Sequence, residues 1–395
     1  MQKNNHVLYV IVIAQFLCTS LWFASNAVMP DLIQAFNLPK SALGNLTSAV
    51  QFGFIIGTLL FAFFTISDRY SPSKVFFVSA LLGGAANLST TMAGANFELL
   101  LTTRFLTGFF LAGIYPVGMK IAADYHNKGL GKALGYLVGA LVLGTAFPHL
   151  LKAFTSELPW KYVLYFTSLL SLVGGLGMVL FVSNGPYRKM SQAMDFKGVF
   201  KVFQDKKFRT AAIGYFGHMW ELYAFWAFVP FMLATYLHQN QFTQFNIPLL
   251  SFSIIGIGGV SCVIGGYISQ HIGSRNTALY ALAISAICCL VSPFAFNWVP
   301  ILFLLFLFIW GISVVADSPQ FSSLVAENAS DDLKGTALTI VNSIGFAITI
   351  SSIQLISWLS QIMDPTKVYL FLSLGPLIGL FVMHKNKNQQ VKQEV

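Results

Sequence analysis

Charge is what this sequence has least of. Only 9% of its 395 residues are Asp, Glu, Lys or Arg, against about 25% in a soluble globular domain. Too few charges remain to coat a water-facing surface, which argues against an ordinary soluble enzyme or binding domain. Cysteines number four, Cys18, Cys262, Cys288 and Cys289, each inside an apolar run. Their spacing fits neither a zinc motif nor a disulfide framework, so four reduced thiols acting as small buried filler are expected. No G-x-x-x-x-G-K-[ST] run occurs, which removes the P-loop route to ATP-driven work. The seven histidines are scattered without metal-ligand spacing, and neither a metal nor a cofactor is expected. The formal charge is +9, yet the basic residues lie in short gaps between apolar runs, so no nucleic-acid partner is expected.

What is present is apolar length. The chain is 56% hydrophobic with mean hydropathy +0.70, and it holds 38 Phe and 32 Gly. Twelve runs reach the length of a bilayer-crossing helix, at roughly 7–29, 44–66, 74–93, 97–121, 132–152, 161–183, 209–236, 249–271, 276–296, 299–324, 336–360 and 367–384. The first is too long for a signal-peptide core and reads as a retained span. An all-α integral membrane protein in contact with the lipid bilayer follows. Lys and Arg set its orientation, because cytoplasmic segments carry the excess. With the N-terminus inside, 18 basic residues fall on the cytoplasmic side and four outside, with Arg104 inside a span. Both termini and the polar stretch 184–208 are therefore expected in the cytoplasm. That stretch divides the chain into residues 1–183 and 209–395, each with six spans.

The two halves repeat. "LWFASNAVMP" (Leu21–Pro30) returns loosely as "LYAFWAFVP" (Leu222–Pro230), and "ISDRYS" (Ile66–Ser71) as "ISQHIG" (Ile268–Gly273). "GIYP" (Gly113–Pro116) lines up with "ADSP" (Ala316–Pro319), and "GKALG" (Gly131–Gly135) with "GTALT" (Gly335–Thr339). Four matches in order, at offsets of 200 to 204, imply two pseudo-symmetric six-helix bundles with a site between them near the midplane.

With this repeat, the loop "SDRYSPSK" and the intramembrane "RFLTG" (Arg104–Gly108), the sequence resembles the major facilitator superfamily, loosely its bacterial cyanate- and nitrate-type carriers. The resemblance implies a secondary transporter working by alternating access in the bacterial inner membrane, with a monomer expected. It implies that Asp68, Arg69, Lys74 and Arg275 form charged contacts at the helix ends that favour one conformational state. Span 5, with Gly131, Gly135, Gly139 and Gly144, matches the family's antiporter signature poorly. Proton-coupled symport of a small organic solute, organic anions included, is therefore favoured over proton-coupled export. A uniporter or a non-transporting solute sensor is the further alternative.

Ionisable residues inside spans carry the finer expectations. A charge at the bilayer centre costs about 2.5–3.5 kcal/mol on insertion scales, so it faces a bundle interior or a wet cavity. Glu221 lies near the middle of span 7 with His218 three residues before it, on one helical face. These two and Asp317 of span 10 are the expected proton-coupling groups. Arg104 is expected to contact an anionic solute or to pair with Glu98 or Asp31. Amides and aromatics orient a solute without a desolvated charge. Gln15, Trp22 and Asn26 in span 1, Tyr115 in span 4, Trp220, Tyr223 and Trp226 in span 7, and Asn342 in span 11 are the expected substrate contacts.

Overall fold

The computed structural model describes residues 5–92, 96–126, 130–188, 202–241, 245–330 and 333–391. Lys3, Lys128, Lys189, Lys197, Lys201 and Lys392, which entered the orientation argument, lie outside the described residues, as does most of the central polar stretch. The chain divides into two compact units. Unit 1 comprises residues 1–193 and 242–259, and unit 2 comprises residues 194–241 and 260–395.

The described residues form helices and connecting turns, with no strand among them. Unit 1 contains α1 (Asn5–Thr19), α2 (Ala24–Ala27), α3 (Met29–Phe36), α4 (Ala42–Phe63), α5 (Ile66–Arg69), α6 (Pro72–Ser89), α7 (Phe97–Leu111), α8 (Tyr115–Tyr125), α9 (Leu130–Phe154) and α10 (Lys161–Phe181). Unit 2 begins with α11 (Lys206–Asn240). A further helix, α12 (Ile247–Ile272), runs across the boundary between the two residue sets. Unit 2 continues with α13 (Ser274–Ala295), α14 (Pro300–Ala316), α15 (Ser318–Glu327), α16 (Lys334–Ile362), a 3-10 turn over Val368–Ser373 and α17 (Leu374–Val391). Ten segments are long and apolar enough to cross a membrane by length and composition, and His6–Thr19 is a shorter apolar helix. With α11, which carries more polar residues, they make up the twelve spans. Large apolar side chains such as Leu180, Ile301 and Phe381 are exposed, as lipid-facing surfaces require.

Three spans expected to be continuous are broken. Span 1 turns at Ser20–Phe23, between α1 and α2. Span 4 turns between α7 and α8, just before Pro116, and span 10 turns at Asp317, just before Pro319. A proline withdraws a donor and disfavours helix in the residue before it, so the chain re-enters helix with proline in the first turn. The last two breaks fall on the two repeat copies "GIYP" and "ADSP". Gly273, at φ 82, begins the turn into α13, a conformation glycine adopts without strain.

Within unit 1, α4 packs on α7 through glycines. A Cβ at Gly53 would lie 1.9 Å from Phe105 O, and one at Gly108 would lie 1.9 Å from Val50 O. The "RFLTG" glycine is therefore a point of backbone contact. In span 5, Gly144 plays that part against Thr19 Oγ1 and Phe16 O of α1. A Cβ at Gly135 would meet nothing within 4 Å, so that glycine is not needed for packing.

Candidate functional site

The buried ionisable groups of unit 2 start on α11. Asp205 caps this helix by accepting from Phe208 N at 2.8 Å, and 35 residues of helix follow. His218 and Glu221 stand one turn apart, but they do not serve each other as their spacing suggested. His218 Nδ1 lies 2.8 Å from Asp317 Oδ1, and both side chains are only 1% exposed. Glu221 instead takes three donors from two other helices. Ser285 Oγ donates to its Oε2 at 2.9 Å, while Cys289 Sγ at 3.3 Å and Trp310 Nε1 at 2.5 Å donate to its Oε1. Ser285 and Cys289 sit at i and i+4 on α13, and Trp310 on α14 stacks against Phe225 with ring centroids 4.7 Å apart. The carboxylate thus joins α11, α13 and α14. The expected filler role of Cys289 needs correcting, since this buried thiol is also a donor.

Asp317 sits at the break of span 10, between α14 and α15. Its Oδ2 and His218 Nε2 have no hydrogen-bond partner among the described residues. The imidazole lies between the rings of Tyr215 and Phe321, with centroids 6.1 and 6.0 Å away. Buried against these rings, the imidazole has the Asp317 carboxylate 2.8 Å from its Nδ1.

Arg104 in unit 1 is fully buried, and its two terminal nitrogens donate to protein, while Nε has no hydrogen-bond partner among the described residues. Nη1 donates to Asn87 Oδ1, and Nη2 donates to Leu21 O and Trp22 O, each at 2.9 Å. Those two carbonyls belong to the break in span 1. The expected acidic partners are placed elsewhere. Asp31 binds Lys152 at 2.9 Å, and Glu98 lies in the first turn of α7.

The remaining expected contacts scatter. Gln15 is buried beside Gly118, where a Cβ would lie 2.4 Å from its Oε1. Trp22 is buried against Phe54 at 4.8 Å, and Asn26 donates to Thr47 Oγ1 at 2.8 Å. Tyr115 and Asn342 are half-buried. Trp220 donates to Phe371 O at 3.1 Å, whereas Tyr223 is buried among Trp226 and Phe346. Asp68 of α5 pairs with Lys120 of α8 at 2.8 Å. Arg188 reinforces that end by donating to Asp68 O and Tyr70 O. Arg69 donates to Thr65, Arg275 to Met383 O, and Lys74 is exposed. Among the described residues no group of three or more His, Cys, Asp or Glu is arranged to hold a metal ion.

A sequence profile described as the Major Facilitator Superfamily matches residues 11–353. The chain belongs to that superfamily. Similar proteins include the putative metabolite transport protein YyaJ of Bacillus subtilis, 26% identical over 177 residues. That match covers 44% of this chain and 38% of the relative. The 4-hydroxybenzoate transporter PcaK of Pseudomonas aeruginosa is 28% identical over 156 residues, 38% of this chain and 33% of the relative. The matched stretches thus span well under half of those two proteins. Among solved structures, the nucleoside transporter NupG has a TM-score of 0.73 at 15% identity, covering 96% of this chain and 99% of that one. The proton:xylose symporter XylE also scores 0.73, at 14% identity, covering 96% and 94%. Those two likenesses establish the fold, and the twelve-helix superfamily architecture fits the helices described above.

Proposed function

We propose that this chain is a secondary transporter of a small organic solute in the bacterial inner membrane, coupled to protons as a symporter, with the His218–Asp317 pair as the proton carrier. The 2.8 Å contact between these two side chains, each 1% exposed, is the observation that carries the reading. With one exchangeable proton the pair is neutral overall, either as imidazolium with carboxylate or as imidazole with carboxylic acid. Without that proton it leaves one net negative charge in a site without water's dielectric, the costly form at bilayer depth. Release therefore needs an opening that admits water, which is how alternating access ties proton movement to conformational change. The position of Asp317 at a helix break supports this, because local rearrangement there alters its surroundings directly. Glu221, with both oxygens engaged, is assigned to holding α11, α13 and α14 in place around the pair.

The test is solute-driven proton movement in proteoliposomes with a pH dye inside, using pools of sugars, nucleosides, amino acids and organic acids. Inward flux in wild type, absent in Asp317→Asn while solute exchange continues, is expected. Proton flux that survives in Asp317→Asn removes the pair from the coupling role. Outward flux makes the protein an antiporter.

A further inference from the structure

Unit 1 holds a second set of buried polar groups, which the coupling pair does not use. They meet at the break in span 1, where α2 packs against both α4 and α9. On α4, Thr47, Gln51 and Phe54 recur at i, i+4 and i+7 and share one face. Thr47 accepts from Asn26 and Phe54 lies on Trp22, so this face is turned to the broken span and Gln51 is turned with it. On α9, Thr145, His149 and Lys152 share a face in the same way. Lys152 reaches Asp31 of α3, which turns that face toward the same segment. Ser25 comes from α2 itself.

All four side chains are sealed from solvent: Gln51 and Thr145 are 0% exposed, Ser25 and His149 1%. Both amide atoms of Gln51, the Ser25 and Thr145 hydroxyls, and His149 Nε2 have no hydrogen-bond partner among the described residues. Buried side-chain polar atoms are partnered in the large majority of cases. Four side chains with unpartnered polar atoms, brought to one junction by three helices, are thus a marked exception. Their chemistry is uncommitted in donors and acceptors but not in charge. The amide and hydroxyls can each donate and accept, and a neutral imidazole does one of the two at each nitrogen. Lys152 is committed to Asp31, and the terminal nitrogens of Arg104 are committed to two carbonyls and Asn87, which leaves only its Nε without a partner among the described residues.

We infer that Ser25, Gln51, Thr145 and His149 form the unit 1 contact site for the transported solute, and that this solute is uncharged and rich in hydroxyl or amide groups. This rests on the reading of the chain as a transporter, and it replaces the organic anion among the classes that the sequence suggested. A carboxylate brought here would be desolvated with Lys152 already paired and the terminal fork of Arg104 already occupied, whereas its neutral counterpart would have its hydrogen bonds met.

The experiment is binding to the purified full-length protein in detergent, followed by thermal shift and titration. The probes are matched pairs: glucose and glucuronate, uridine and uridine monophosphate, 4-hydroxybenzyl alcohol and 4-hydroxybenzoate. The expected result is that a neutral member binds at least about tenfold tighter than its charged partner, and that Gln51→Leu and Ser25→Ala each weaken it by about tenfold, the factor one ordinary hydrogen bond gives. Unliganded Gln51→Leu should melt no lower than wild type, since an unmet polar group is removed. Asp317→Asn should still bind, which separates this proposal from the coupling role. Preference for the charged members, binding indifferent to both substitutions, or no binding by any neutral member overturns the proposal. Proton flux driven by an organic acid, with no neutral binder, would overturn it while leaving the coupling pair intact.

Discussion

Arg104 and Asn87 form one buried unit that ties three helices to the break in span 1. The guanidinium donates to Asn87 Oδ1 at 2.9 Å, and the same amide donates through Nδ2 to Leu164 O, Thr167 and Ser168. An amide that accepts from α7 and donates to α10 links both helices to α6, while the arginine carries the link on to span 1. Arg104→Lys keeps the charge but not the planar fork, so it loses at least one of three acceptors. Each carbonyl left unmet costs about 1–3 kcal/mol. A lower melting midpoint in detergent is expected for Arg104→Lys and for Asn87→Leu. Unchanged melting together with lost uptake would return Arg104 to a solute-binding role.

Glu221 and Asp317 should separate in their mutants. Glu221→Gln retains acceptor capacity at its carbonyl oxygen, but its NH2 group faces a donor where the second oxygen stood. The loss of that contact, about 1–3 kcal/mol, should appear in thermal stability, with proton flux reduced less than in Asp317→Asn. Parallel measurement of melting and flux in both variants checks this. Flux abolished in Glu221→Gln at wild-type stability would make Glu221 the carrier.

Asp68 and Lys120 should show a coupling that their separate mutations do not. Reversing either charge breaks a contact whose side chains are 7% and 17% exposed, and reversing both restores it with opposite polarity. A double-mutant cycle on stability is expected to give an interaction of about 0.5–3 kcal/mol. A value near zero would reduce both residues to topology charges.

Glycine substitutions offer a packing test. Gly53→Ala and Gly108→Ala each place a methyl 1.9 Å from a backbone oxygen, which cannot be relieved by turning a side chain. Both should fail to accumulate as folded, monodisperse protein in size-exclusion profiles. Gly135→Ala meets nothing within 4 Å and should behave as wild type.

The helices were legible because bilayer length and cytoplasmic basic residues are one-dimensional signals. The breaks in spans 4 and 10 were half legible: Pro116 and Pro319 were in view as repeat positions, but not as points where helix stops. The break in span 1 falls at Ser20–Phe23, well before Pro30, and its carbonyls are met by an arginine more than 80 positions away, which no local pattern announces. Periodicity put His218 and Glu221 on a shared face. It could not tell that Asp317 takes one while Ser285, Cys289 and Trp310 take the other, since those partners come from separate helices. Cysteine in an apolar run reads as filler until its neighbours are known. The Asp68–Lys120 pair was hidden for the same reason, because its members stand 52 positions apart on α5 and α8.

The backbone contacts between α4 and α7 have a mechanical consequence. Two helices that touch through Val50 O and Phe105 O, with glycines recessed to receive them, are locked in register like teeth of a ratchet. Sliding either by one residue would drive a side chain into a carbonyl. This pair therefore behaves as a single strut, and a disulfide engineered across it should leave transport unimpaired.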